Sequence, residues 1–253
     1  MCLISFAYKI HPRYSLVLLA NRDEFYKRPA RKAQFWTEEG FPDILAGKDL
    51  SAGGTWMGIN KNGKWAALTN YRDMNKLKPN PPSRGDLVLN FLKSESTAKK
   101  YLENLKEKAP MYDGFNLLTG DNKGVFHFSN VTNKITLIKP GVYGLSNALL
   151  NTPWPKLENA KSELALHIKA ENLNRDTLFN ILTDQQKADE SQLPETGLTK
   201  EMEKAISSIF ISTDDYGTRC SSLLFIDMEG DIDFTERSYI PGTNDMEEVR
   251  FAF

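Results

Sequence analysis

The chain has 253 residues, of which 40% are hydrophobic and 26% are charged, so it is long enough to bury a core of ordinary globular composition. Its 32 basic and 33 acidic residues give a formal net charge of −1, without the basic excess that a nucleic-acid-binding protein needs. There is no long apolar stretch, there are only two cysteines, and the first residues do not form a signal peptide. We therefore expect a cytoplasmic protein without a membrane span.

The first seventy or so residues predict two β-hairpins separated by a long loop. Apolar, β-forming segments pair residues 2–8 with 14–20, and residues 55–60 with 64–69. An Asn-Gly turn closes the second hairpin. Residues 21–50 are charged and interrupted by proline and glycine, which predicts a loop, and a loop of that length is typical of a functional segment.

The rest of the chain predicts helices, short strands and a final hairpin. Ser83 is a candidate N-cap, and Pro155 suits the first position of a helix. The predicted helices span 86–93, a segment ending near 108, 155–170, 176–183 and 199–210; the predicted strands span 115–119, 125–129, 135–138, 142–145, 219–227 and 231–237. Strands grouped in hairpins, with helices gathered between them, favour a single α+β domain with mainly antiparallel sheets over alternating βαβ units.

Cys2 is the first candidate for chemistry. Removal of Met1 would leave its thiol and a free α-amine on one residue, with reference pKa values of about 8.5 and about 7.7–8.0. Such an amine can accept the thiol proton and so activate the sulfur as a nucleophile. The alternative is a buried apolar cysteine on a first strand.

Polar side chains follow several of the predicted strands. Asn21-Arg22-Asp23-Glu24 comes directly after one strand, Asn70-Tyr71 after another and Asn147 after a third, while Arg219 begins the last hairpin. These residues could meet at one end of a sheet, although an asparagine after a strand is more often a turn residue. Trp56 is a candidate core residue or pocket wall.

Several of these motifs, in this order, resemble the NRDE family, which includes the transport-and-Golgi-organisation protein 2 group. The resemblance covers nearly the whole chain. It rests on the MCLISFAY start, Asn21-Arg22-Asp23-Glu24-Phe25, the AGGTW segment, Thr69-Asn70-Tyr71-Arg72, Ser83-Arg84-Gly85, Gly144-Leu145-Ser146-Asn147 and Tyr216-Gly217-Thr218-Arg219-Cys220-Ser221.

The resemblance in turn implies the fold of N-terminal-nucleophile hydrolases of the bile-salt hydrolase and acid ceramidase type. That fold is a four-layer αββα sandwich with two stacked, mainly antiparallel sheets. It implies Cys2 as the nucleophile, Asp23 as the partner of the α-amine, and Asn70 and Asn147 near the oxyanion. Arg219 is expected to face the thiol. Asn21, Arg22, Glu24, Trp56 and Tyr71 are the expected substrate contacts.

Arg22 departs from the pattern of those hydrolases, which have an arginine three residues before the aspartate, where this chain has Ala20. Adjacent strand residues point to opposite faces, so Arg22 is expected to be turned away from the thiol unless the chain bends there. By the same alternation, Cys220 is expected in the core.

Two functions follow from these observations. The first is an amidohydrolase that cleaves a linear carbon–nitrogen bond of a small, partly apolar substrate through Cys2. The second, implied by the resemblance, is a carrier of haem, lipid or acyl-CoA that uses the same pocket. We expect no metal and no cofactor, apart from haem as a possible ligand, because the histidines have no ligand spacing and no phosphate-binding loop occurs.

Overall fold

The computed structural model describes residues 2–243 and 245–253, with Cys2 described by its backbone alone. The described residues form two compact units. The first comprises the described residues up to Lys27 together with those from Pro140 onwards, and the second comprises residues 28–139. Among the described helices, none has both the length and the apolar character needed to cross a bilayer.

The first unit contains a six-stranded antiparallel sheet with three helices. Its strand order is β10-β1-β2-β11-β12-β13. The strands are β1 (Cys2–Tyr8), β2 (Tyr14–Phe25), β10 (Gly141–Leu145), β11 (Tyr216–Asp227), β12 (Ile232–Tyr239) and β13 (Met246–Ala252), and the helices are α3 (Pro155–Lys169), α4 (Arg175–Leu182) and α5 (Lys200–Ala205).

Alternate residues of this sheet face the helices. Leu3 and Ala7 of β1 pack with Leu19 of β2 and Leu223 of β11 against apolar residues of α3 and α4. Because side chains alternate between the faces of a strand, this core fixes which residues near the strand ends point toward the helices.

The second unit contains a seven-stranded antiparallel sheet, in the order β3-β4-β5-β6-β7-β8-β9, with two helices. The strands are β3 (Ala30–Trp36), β4 (Phe41–Asp49), β5 (Met57–Asn60), β6 (Trp65–Asn70), β7 (Phe115–Asp121), β8 (Gly124–Ser129) and β9 (Lys134–Leu137), and the helices are α1 (Gly85–Lys93) and α2 (Ala98–Leu105). Phe91 of α1 and Leu102 of α2 are buried against Leu68, Leu117 and Phe128 of the sheet.

The predicted loop over residues 21–50 is wrong. Strand β2 continues to Phe25, and β3 and β4 follow as a hairpin. Gly47 lies within β4, where its lack of a side chain leaves room for the Trp56 ring. A Cβ at this position would come within 2.4 Å of the ring. The sequence prediction also missed β13, extended the last helix beyond Ala205, and assigned the N-cap of α1 to Ser83, whereas that position belongs to Arg84.

A neutral polar network joins three strands of the second unit. The Asn116 amide donates to Thr69 Oγ1 at 3.2 Å, and His127 Nε2 lies 3.2 Å from Asn116 Oδ1. Since that oxygen can only accept, His127 is the donor. Burial lowers the pKa of His127 from 6.5 to about 4, which keeps the ring neutral near pH 7.

This depressed pKa makes folding sensitive to acid. Unfolded His127 takes up a proton below its ordinary pKa of 6.5 and the folded residue does so only near 4, so stability is lost as the pH falls between these values. Between pH 7.5 and pH 4.5 we expect this group to lower the free energy of unfolding by about 2–3 kcal/mol. Urea denaturation of wild type and His127→Gln checks this. The glutamine amide can still donate to Asn116 but does not titrate, so an equal pH dependence in both proteins would contradict the assignment.

Candidate functional site

The candidate nucleophile begins the first strand, beside an arginine. The register pairs Cys2 of β1 with Arg22 of β2, and Arg22 with Cys220 of β11. The Cys2 side chain lies outside the described part of the molecule. Arg22 is buried and lies at the cross-strand position from Cys2, which favours the same face of the sheet for both residues. The expectation that Arg22 is turned away from the thiol falls on a side chain outside the described part of the molecule and is not tested. Cys220 is buried, as predicted.

Asn21 fixes the end of β2 to the surrounding chain. Its amide nitrogen donates to the Leu182 carbonyl at 2.8 Å and to the Ile209 carbonyl at 2.9 Å. Its oxygen accepts from Ser221 Oγ at 2.6 Å, and Tyr239 donates to the same hydroxyl at 3.0 Å. Both ends of this buried amide are therefore used within the protein. Contact with a substrate would require breaking these bonds.

Asp23 is the buried carboxylate of the site. It is 1% exposed, and Thr218 Oγ1 donates to its Oδ1 at 2.8 Å. Thr218 Oγ1 in turn accepts from the Ile211 N–H at 2.9 Å, which fixes the direction in which the hydroxyl donates. Burial raises the pKa of Asp23, while the positive charge of Lys156, the Thr218 hydrogen bond and Arg22 act in the opposite direction.

Arg219 lies at a β-bulge in β11. The register shifts between Thr218, which is paired with Asp23, and Cys220, which is paired with Arg22, so Arg219 is the extra residue. Its half-buried guanidinium donates to the carbonyls of Phe25 and Tyr26 at 3.2 and 3.0 Å. The bulge thus directs at least one nitrogen of Arg219 to the chain just beyond the candidate site.

Asn147 lies on a loop that the structure holds closed. The last pair of the β10 register joins Leu145 to Ile4, and Asn147 follows the end of this strand by two residues. Asn151 accepts from the Gly144 N–H at 2.9 Å through its side chain and donates to the Gly144 carbonyl at 2.8 Å through its backbone. These two bonds close the loop, and Asn147 within it is fully buried.

Glu24 is the most exposed of the four polar residues at the end of β2. It is half-buried, and its Oε1 accepts from the Phe25 N–H at 2.9 Å. Its carboxylate is thus bound to the backbone of the next residue, at the rim of the group formed by Arg22, Asp23 and Arg219.

The other predicted site residues belong to the second unit. Asn70 ends β6 and is paired with Phe115, and Tyr71 N donates to the Gly114 carbonyl at 2.8 Å. The Trp56 carbonyl accepts from Leu68 N at 2.9 Å, next to the same strand. Asn70, Tyr71 and Trp56 are thus gathered around β6, and their roles remain predictions.

Sequence reasoning missed two residues that act on Asp23. Thr218 lies in the Tyr216–Ser221 motif, but nothing in that motif indicates that its hydroxyl binds a carboxylate. Lys156, the second residue of α3, is 4% exposed, and its Nζ donates to the Ile206 carbonyl at 2.9 Å. A lysine in the first turn of a helix has no sequence signal that separates it from a solvated surface residue.

The described side chains include no group of three or more histidine, cysteine, aspartate or glutamate residues placed to hold a metal ion. The chemistry that the described residues offer is instead that of an arginine, a buried carboxylate and carboxamides at the ends of neighbouring strands.

The fold is shared with a solved hydrolase. The C2A mutant of the conjugated bile acid hydrolase from Clostridium perfringens matches 98% of this chain and 92% of its own, with a TM-score of 0.54 and 10% sequence identity. This similarity confirms the predicted α+β class and the fold of N-terminal-nucleophile hydrolases. Because the two sequences are only 10% identical, the similarity shows the fold alone.

The sequence relatives identify the family. The transport and Golgi organization protein 2 homologue of Bos taurus is 37% identical over 95% of this chain and 94% of its own length. The human homologue is 36% identical over 94% of this chain and 93% of its own. The sequence profile described as Transport and Golgi organisation 2 matches residues 1–241. The family resemblance predicted from the sequence is thereby confirmed, and the chain belongs to the Transport and Golgi organisation 2 family.

Proposed function

We propose that this protein is a cysteine amidohydrolase of the N-terminal-nucleophile type, acting on a linear amide bond of a small, partly apolar substrate. The observation that carries the proposal is the strand register. It pairs Cys2 with Arg22 and places the buried carboxylate of Asp23 one residue further along the same strand. The hydrolase fold of the chain supports it.

The proposed reaction requires that Met1 is removed, so that Cys2 carries both the thiol and the α-amine. The amine accepts the thiol proton, and the guanidinium of Arg22 favours the thiolate by its positive charge. The sulfur attacks the amide carbon, and the leaving nitrogen takes a proton from the α-ammonium as the carbon–nitrogen bond breaks. Water then hydrolyses the thioester, which releases the acid and restores the thiol.

Asp23 and Asn147 have separate tasks in this scheme. The carboxylate of Asp23 holds the α-amino group in place and stabilises its charged form. The carboxamide of Asn147, buried on its closed loop, donates to the oxygen that becomes negative as the sulfur attacks. Arg219 holds the end of β2 through the carbonyls of Phe25 and Tyr26, which keeps Asp23 and Arg22 in register.

The reactivity of the Cys2 thiol is the most direct test of the proposed enzyme. An electrophilic acyl probe should add one acyl group at Cys2 of the mature chain, detected by intact mass and peptide mapping. Cys2→Ala should abolish the adduct, whereas Cys220→Ser, at a buried cysteine, should retain it. Haem is added in a parallel sample. A visible haem band without any covalent adduct would contradict the enzyme and favour the carrier of haem or lipid.

The role of Asn147 as an oxyanion donor can be measured directly. Asn147→Ala should slow thioester formation by about 10²-fold, because one oxyanion donor contributes roughly 3 kcal/mol to the transition state. Asn180→Ala, at an exposed asparagine of α4, is the matched control and should react at the wild-type rate. Stopped-flow acylation measures both variants. Equal rates for Asn147→Ala and wild type would remove Asn147 from the scheme.

Burial of the Asp23 carboxyl has a cost in stability that depends on pH. Its folded pKa is raised above the unfolded value of 3.8, so the folded state binds the proton more tightly and loses stability as the pH rises through this interval. Relative to Asp23→Asn, which does not titrate, the wild type should therefore lose stability from pH 4 to pH 7. The loss should be about 1.4 kcal/mol for each pKa unit of the shift.

Urea denaturation of both proteins at several pH values measures this difference. The asparagine variant should also lose its acylation activity, because a neutral amide cannot balance the α-ammonium. A stability difference that stays constant with pH would show that Asp23 is not held in a raised-pKa environment.

A further inference from the structure

Strand β13 forms one edge of the six-stranded sheet. It is the last strand in the sheet order and is paired with β12 through seven successive residues, without a bulge. Its other side is not paired with any strand in the described part of the chain. The edge of a sheet exposes N–H and C=O groups that can pair with a further strand. β13 therefore offers a template for one more strand.

The hydrogen bonds at the end of β13 show which of its residues face outward. Ile232 and Phe253 exchange two backbone hydrogen bonds, at 2.8 and 3.0 Å, so they form a pair of the hydrogen-bonded type. Because such pairs alternate along an antiparallel ladder, Phe251, Val249 and Glu247 also direct their backbone groups to β12. The residues between them direct their backbone groups away from β12: Met246, Glu248, Arg250 and Ala252.

Two opposite charges lie on either side of the centre of this strand. The side chains of Glu248 and Arg250 are 40% and 52% exposed. Each is bound to a residue of β12, since Arg237 Nε donates to Glu248 at 2.7 Å and Arg250 donates to Asp233 at 2.7 Å. Because residues two positions apart share a face of a strand, the edge presents a negative and a positive side chain on the same face of the sheet.

We propose that β13 pairs with β13 of a second copy of this chain, in an antiparallel register centred on Val249. The two-fold axis of such a pair places Glu248 opposite Arg250 of the second copy, and Arg250 opposite Glu248. Opposite charges at directly opposed positions stabilise a strand pair. The same register brings the outward backbone groups of both strands into hydrogen-bonded pairs, which joins the two six-stranded sheets into one continuous sheet.

The charges favour this register over its neighbours. The outward backbone groups also match when the centre moves by one residue, to Glu248 or to Arg250. Two glutamates or two arginines then lie directly opposite each other, which is destabilising. The other described edge strands lack this pattern, because β10 has no charged residue, β3 has only basic ones and β9 has only Lys134.

Self-association of the full chain is the first test. Two paired edge strands bury a small area, so we expect a dissociation constant on the order of 100 µM. In sedimentation velocity, the apparent mass should rise with concentration from 28.7 kDa toward twice that value. In the same concentration series, hydrogen exchange should slow at the Glu248 and Arg250 amides. Exchange at Val249 should not change, because its N–H is directed to β12.

Reversal of the charges tests the register. Glu248→Arg and Arg250→Glu each place like charges opposite each other in a homodimer, and each should weaken self-association by about tenfold. A mixture of the two variants should restore it, because both charge pairs are complementary between the unlike chains. Glu229→Arg makes the same change of charge in the exposed segment before β12. It is the matched control and should associate like the wild type.

The outcomes either support this pairing or overturn it. A wild type that stays at 28.7 kDa, with edge amides that exchange at one rate, overturns the dimer and leaves the edge to a strand of another protein. A dimer that neither reversal weakens lies on another surface and also overturns it, and a mixture that does not associate overturns the register. If a reversal detaches β13 from β12, faster exchange at Val249 reveals this, and the exchange of the wild type alone decides. None of these measurements depends on the reaction proposed at Cys2.

Discussion

The buried carboxylate of Asp23 is the constraint on which the first unit depends. A charged oxygen atom placed among apolar residues must be compensated by hydrogen bonds and opposite charge, or it will take up a proton. Thr218 supplies the hydrogen bond, and Lys156 supplies the largest opposing charge. Each of them is held by the backbone of residues 206–211. The irregular segment between α5 and β11 is thereby given a role that its sequence does not suggest.

The alternation of side chains along β2 divides its polar end between the two faces of the sheet. Asn21 binds backbone carbonyls from the region of α4 and from residues 206–211, so it fixes the strand to its surroundings. Arg22 lies on the other face, paired across the sheet with Cys2 and Cys220. Asp23 shares the face of Asn21, where Thr218 donates to it, so alternation separates the guanidinium of Arg22 from both the anchor and the carboxylate.

The sequence predicts the hairpins of this fold better than it predicts the polar strands. The pairing of β1 with β2, and of β5 with β6, follows from apolar segments and turn residues that report directly on backbone geometry. Strand β4 was missed because Gly47 and Pro42 indicate a loop, and the contact that requires a glycine, the Trp56 ring, comes from nine residues further along the chain. Local patterns contain no information on such a contact.

The residues of the candidate site likewise divide into those that the sequence predicts and those that depend on distant contacts. Cys2, Asp23 and Asn147 were predicted because a chemical role and a family resemblance attach to their residue types. Lys156 was not predicted, because its position in the first turn of a helix is typical of a solvated lysine. Only the folded chain reveals that this turn is buried and that the ammonium group lies where its charge acts on Asp23.

The buried titratable groups of the two units have different electrostatic surroundings. In the second unit, burial leaves His127 neutral, and the network with Asn116 and Thr69 satisfies it with uncharged partners. In the first unit, burial raises the pKa of Asp23, and the positive charge of Lys156 works against that effect. A group whose only task is to join strands is most stable when it is neutral, and a protein has no reason to bury a second charge beside it. The charge of Lys156 and the hydrogen bond from Thr218 both favour the ionised form of Asp23, which is the form that the proposed enzyme requires to hold an α-ammonium group.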